Sequence, residues 1–134
     1  MLAAHNAVRS RAGVPPLAWS NRLAAHAQSW ANYLLAHRQF FHRPNAAYGE
    51  NLFEIEGAAA SPAEVVDDWA SESRSYNHRS NVCRGVCGHY TQIVWRKSTQ
   101  LGCGVASCKN GGFTTDIWIC NFAPAGNYVG QAPY

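Results

Sequence analysis

Gly88-His89-Tyr90-Thr91-Gln92-Ile93-Val94-Trp95 sets an imidazole just ahead of a run in which polar and apolar residues alternate. Alternation at every second residue is the pattern of a strand. Thr91, Ile93 and Trp95 are expected on one face and Tyr90, Gln92 and Val94 on the other, with His89 at the strand mouth, where a cleft residue would sit. Downstream, 102–108 and 113–120 are also rich in strand-forming residues, with turns at Lys97-Ser98-Thr99 and Asn110-Gly111-Gly112. Upstream the period changes. Leu23, Ala27, Trp30, Ala31 and Leu34 fall on one face of a helix over 20–37, with Ser20 as N-cap. Ser61-Pro62-Ala63-Glu64 reads as a capping box that opens a helix running to about residue 76. Residues 2–12 form a shorter helix ended by Gly13-Val14-Pro15-Pro16. Helices come first and strands later, so the class is α+β.

A chain of 134 residues fits one domain. Its 47% hydrophobic and 12% aromatic content is far from a disordered composition, and no apolar run approaches the roughly 18 residues of a membrane span. An integral membrane protein is therefore not expected. The net charge of +3 comes from nine Arg and two Lys scattered along the chain, without a basic block. That argues against nucleic acid as a partner.

Five cysteines, at 83, 87, 103, 108 and 120, crowd the second half and read as a disulfide framework in an oxidising compartment. The turn at Asn110-Gly111-Gly112 returns one strand beside the other and favours pairing Cys103 with Cys120. The spacings lack the paired C-x-x-C knuckles of a structural zinc site.

Together with Tyr48-Gly49-Glu50-Asn51-Leu52 and Cys120-Asn121-Phe122-Ala123-Pro124-Ala125-Gly126-Asn127-Tyr128, the opening segment resembles the CAP superfamily of cysteine-rich secretory, antigen-five and pathogenesis-related class-one proteins, the plant branch best. The resemblance runs from His5-Asn6 to Tyr134. It implies one CAP (SCP) domain over 1–134, a three-layer α-β-α sandwich with a small, mostly antiparallel sheet. It implies the same Cys103–Cys120 pair and a short loop closed by Cys83 and Cys87, with three intervening residues where plant members usually have five. The sixth cysteine of plant relatives falls at Arg38 if His42 is the matching histidine, which leaves Cys108 without a partner. Cys108 is then expected to be a buried, inert thiol, with intermolecular pairing or reactivity as the alternative.

The resemblance also groups His42, Glu50, Glu72 and His89 in one cleft. Glu72 borders the inward face of its helix, beside Trp69 and Tyr76, and Glu50 sits in a tight turn entering ordered structure. Such a set has three chemical uses. It can bind a divalent cation such as zinc, act as acid and base in a metal-assisted hydrolysis, or form a hydrogen-bonded network that fixes the fold. No serine or cysteine stands in a nucleophile context, so an enzyme is the lesser expectation. Six residues separate His42 from Gly49, one more than in plant members, so the intervening loop absorbs an insertion. His5 is expected to be structural, His26 and His37 to lie on the second helix, and His78 in a polar loop.

Binding of a sterol or another lipid is a further implication of the resemblance. The loop 76–87 is polar and basic and serves as a lid at best, so an apolar lining must come from Trp69 and its neighbours. The tail 124–134 matches a plant segment released as a defence signal, with cleavage between Ala123 and Pro124, a protease and a receptor as partners, and Tyr128 and Tyr134 as anchors if it instead stays packed. The first residues lack a basic and apolar leader. Because the family's His-Asn motif already falls at residue 5, an extracellular location is expected, with the leader outside this chain. The remaining alternative is a structural domain that displays its loops to a protein partner.

Overall fold

The computed structural model describes residues 1–134. Four helices, α1 (Leu2–Ala12), α2 (Asn21–His37), α3 (Pro62–Ala70) and α4 (Gly88–Ile93), accompany six strands, β1 (Ala18–Trp19), β2 (Gly49–Glu56), β3 (Tyr76–Asn77), β4 (Val82–Cys83), β5 (Gln100–Asn110) and β6 (Phe113–Ala123). The main sheet has the order β1-β5-β6-β2, and only β1–β5 is parallel. A separate ribbon pairs β3 with β4.

Helices cover both faces of the sheet. Ala27, Trp30, Ala31 and Leu34 of α2 pack on Leu52, Ala106, Ile117 and Ile119. On the opposite face, Val8 of α1, Val65, Val66 and Trp69 of α3, and Ile93 of α4 pack on Leu101 and Phe122. This is the expected three-layer sandwich. Glycines allow the close approach of α2 to β5, because a Cβ at Gly102 would meet the Ala24 backbone nitrogen and one at Gly104 would lie 2.6 Å from the Gln28 Cα. The predicted caps are present: Ser20 accepts from the Leu23 N–H at 3.2 Å, and Ser61 and Glu64 bond each other's backbone at 3.2 and 2.9 Å.

Three expectations need correction. The run from Tyr90 to Trp95 is not a strand; α4 occupies Gly88–Ile93. Distant side chains hold this short helix at both ends. The Glu72 carboxylate accepts the N–H groups of His89 and Tyr90, at 2.9 and 3.1 Å. The buried Arg9 guanidinium donates to the carbonyls of Ile93 and Trp95, each at 2.8 Å. Satisfying these orphan backbone groups outweighs the β preference of the local sequence. Secondly, the third helix stops at Ala70 and tightens into a 3-10 turn, Ser71–Ser75, before the ribbon starts at Tyr76. Thirdly, Cys108 is free, as expected, but exposed rather than buried. It lies where β5 and β6 run past the C-terminal end of α2, and it shares a cavity with Arg38. The disulfides are Cys103–Cys120, which staples neighbouring strands, and Cys83–Cys87.

Candidate functional site

The four expected site residues form two histidine–carboxylate pairs beside the first residues of edge strand β2. In the first, His42 Nδ1 bonds Glu50 Oε1 at 2.8 Å, and the same oxygen accepts the Arg43 N–H at 3.0 Å. The carboxylate is buried while the imidazole is 69% exposed. Glu50 Oε2 is buried with no partner. The hydrogen bond to Glu50 is the main cause of a raised His42 pKa, against an opposing effect of burial.

In the second pair, His89 Nδ1 bonds Glu72 Oε2 at 2.6 Å, while Oε1 takes the two backbone N–H groups of α4. The ring is 32% exposed and stacks on Trp69, with centroids 6.0 Å apart and planes inclined by 14°. Strand β2 joins the two pairs. Glu50 lies opposite Asn121, whose side chain bonds His26 of α2 at 3.0 Å, so Glu50 faces the α2 layer. Asn51 points to the other face and donates to the His89 carbonyl at 3.1 Å.

Each imidazole is thus oriented through Nδ1 by a carboxylate, which leaves Nε2 unengaged. This is the support that metal-binding histidines usually receive. No three His, Cys, Asp or Glu side chains converge on one point. What the two pairs offer a cation is imidazole nitrogen alone. As general bases the carboxylates are poorly placed. Glu72 has both oxygens engaged, and the free oxygen of Glu50 is sealed from solvent.

The other histidines lie where expected, and His5 is completely buried. Its Nδ1 bonds the Met1 carbonyl at 2.9 Å, its Nε2 has no partner, and the ring packs between Trp69 and Phe122. Burial, the dominant effect, lowers its pKa to about 4 and keeps it neutral.

A second feature lies on the far side of α4. A cavity of about 530 Å³ opens between the β3–β4 ribbon and the tail. Tyr76, Val86, Trp95, Tyr128 and Pro133 supply its apolar wall, and Asn81, Thr91, Asn127 and Gln131 contribute polar groups. Trp69, expected to line a pocket, is instead in the core, where its indole N–H donates to the Leu52 carbonyl at 3.0 Å.

The tail is fastened at several points. Gln92, fully buried, accepts the Gly126 N–H at 3.2 Å, Asn127 donates to the Gly88 carbonyl at 2.8 Å, and Arg96 N–H meets the Pro133 carbonyl at 2.9 Å. Gly49 leaves room for Gln92, since a Cβ there would collide with its amide, and Gly126 leaves room for the Trp95 ring, which a Cβ would approach to 2.6 Å. Residues 127–132 nevertheless lie exposed, and only Pro133 of the tail is buried. The roles of Arg9, Gln92 and Asn51 are not legible in the sequence because their partners are far along the chain. An arginine and an amide inside apolar-periodic segments were the only available signal.

Residues 2–122 match the family model of CAP, the cysteine-rich secretory protein family. Pathogenesis-related protein 1 of Arabidopsis thaliana is 46% identical over 99% of this chain and 80% of its own length. Pathogenesis-related protein 1B of Nicotiana tabacum is 44% identical over 99% and 78%. Among solved structures, venom allergen-like protein 4 of Schistosoma mansoni superposes with a TM-score of 0.77 at 26% identity, over 99% of this chain and 90% of that one. A sheet packed between helical layers, two supported histidines at its edge and near full-length relatives agree: the chain belongs to the CAP family of cysteine-rich secretory proteins.

Proposed function

We propose that the protein is a secreted, defence-related CAP domain that holds a sterol or another lipid in the cavity beneath the β3–β4 ribbon and does not turn it over. The cavity carries this reading. At about 530 Å³ it falls within the range of small-molecule sites, and it joins an aromatic and aliphatic wall to a few polar groups. Two disulfides fit an oxidising, extracellular setting. No helix is long and apolar enough to cross a membrane. Trp95 lines the cavity and reports its occupancy, so titration with a sterol and with a fatty acid should change tryptophan fluorescence saturably. Absence of saturable binding by both would reject the lipid reading.

A second property is favoured by the two unengaged Nε2 atoms: weak binding of zinc or another divalent cation by His42 and His89, with Glu50 and Glu72 orienting the rings. Calorimetric zinc titration checks this. His89→Ala should abolish the heat, and an unchanged affinity in that variant contradicts the assignment.

The exposed stretch 127–132 supports release of the C-terminal segment as a signal after cleavage between Ala123 and Pro124. The Ala123 carbonyl accepts the Thr99 N–H at 2.8 Å, so a protease must first open the end of β6. Incubation with extracellular plant fluid and mass spectrometry should yield a peptide beginning at Pro124. Degradation of the domain without that peptide would exclude it.

A further inference from the structure

Charge is unevenly distributed along this chain. No Asp or Glu occurs from Ser73 through Thr115, a stretch that holds Arg74, Arg79, Arg84, Arg96, Lys97 and Lys109. The first three belong to the ribbon and its flanks and by themselves equal the net charge of +3. None is neutralised, because the only ion pairs in the protein are His42–Glu50 and His89–Glu72. Arg74 and Arg84 line a second concavity with His78, Ser75, Asn77 and Ser80, which shares Tyr76 with the first cavity, and no acid lines it.

Apolar side chains project beside these arginines. Val82 is 44% exposed and Val86 67%; in the adjoining tail Tyr128 is 55% exposed and Val129 fully so, at 103%. Val86 and Tyr128 line the same cavity, so the ribbon, the Cys83–Cys87 loop and the tail form one surface around its mouth. Exposed aliphatic side chains among unpaired arginines match an interface with anionic headgroups, where the cations meet phosphate and the valines enter the acyl boundary.

We infer that this face docks the protein on a membrane surface rich in anionic phospholipid and brings the mouth of the 530 Å³ cavity against the bilayer. The inference deepens the lipid reading by giving the lipid its route of entry, and rests on that reading for this last step only. Docking needs just the arginines and the exposed valines.

Co-sedimentation with sterol-free vesicles separates docking from cavity occupancy. The protein should partition into phosphatidylcholine vesicles containing phosphatidylglycerol at least tenfold better than into phosphatidylcholine alone, and added salt should erase the preference. Losing one arginine near such a surface weakens partitioning about fivefold, so Arg79→Gln/Arg84→Gln should weaken it roughly thirtyfold. Val82→Asp, outside the lipid cavity, should weaken it further. All three positions are exposed, and circular dichroism verifies the fold of each variant. Equal partitioning into the two vesicle types, or no effect of the double substitution, would overturn the proposal. So would soluble glycerol phosphate binding as tightly as the vesicles, since the site would then serve a free anion. None of these outcomes alters whether sterol fills the cavity of the wild type.

Discussion

The two sides of α4 present opposite kinds of surface. Toward β2, ionisable groups bond one another in two separate pairs: Glu72 holds an imidazole and two backbone amides, and Glu50 holds an imidazole and one. Toward the tail, the cavity is walled by Tyr76, Val86, Trp95 and Tyr128. The contrast teaches that a set of acids and histidines resembling a catalytic group can be committed to holding the fold. Capacity for a ligand then lies where apolar surface remains unfilled. The two pairs also differ from each other. Glu72–His89 is braced by Trp69 and by a helix end, whereas His42 sits 69% exposed on the loop after α2.

If these pairs are chiefly structural, their carboxylates should matter more to stability than the cavity wall does. The largest effect is expected for Glu72→Ala, which strips two amides of α4 and the His89 ring of a charged acceptor. Urea unfolding should show a loss of about 3–5 kcal/mol. A loss below about 1 kcal/mol would remove the pairs' structural role.

Acid should act through the layer beneath the pairs. Folded His5 has a pKa of about 4 against 6.5 for the unfolded residue. Between those values the unfolded chain binds the additional proton. Stability from this residue is therefore complete above pH 6.5 and declines as pH falls toward 4, by roughly 3 kcal/mol. His42 has the opposite sign. Its raised pKa gives stability that is full below the unfolded value and is lost as pH rises through the folded one. Proton NMR of the histidine rings separates the two titrations.

On the cavity side, opening the Cys83–Cys87 loop by Cys83→Ser/Cys87→Ser should cost at most about 2 kcal/mol, because the closed loop is short. Its main effect should appear in ligand binding, as the ribbon loses its brace. Glu50→Gln should be milder, about 1 kcal/mol, while lowering the His42 pKa toward its ordinary value.

Much of the sandwich is readable from local pattern. Apolar period three-to-four marks α2, Ser61 and Glu64 mark the start of α3, and Asn110-Gly111-Gly112 marks the turn between β5 and β6. Segment 88–95 misleads because its conformation is set by Glu72 and Arg9, which lie 17 and 84 positions away from their partners His89 and Ile93. Strand β2 is visible in hindsight as alternation of Glu50, Leu52 and Glu54 with Asn51, Phe53 and Ile55, but three glutamates on one face obscure it. Resemblance named the four cleft residues, whereas their pairing as His42–Glu50 and His89–Glu72 needs coordinates. The cavity beside the polar loop 76–87 is not legible from that loop, because its wall is completed by Trp95 and Tyr128 from elsewhere in the chain.

Whether lipid binding belongs to the cavity and not to the two histidine–carboxylate pairs is tested most directly by sterol affinity in two variants whose fold is verified. Val86→Asp places a charge in the cavity wall, and His42→Ala removes the most exposed member of the pairs. Equilibrium binding of a radiolabelled sterol should fall at least tenfold in Val86→Asp and remain unchanged in His42→Ala. The reverse pattern, with binding lost in His42→Ala and kept in Val86→Asp, would contradict the account.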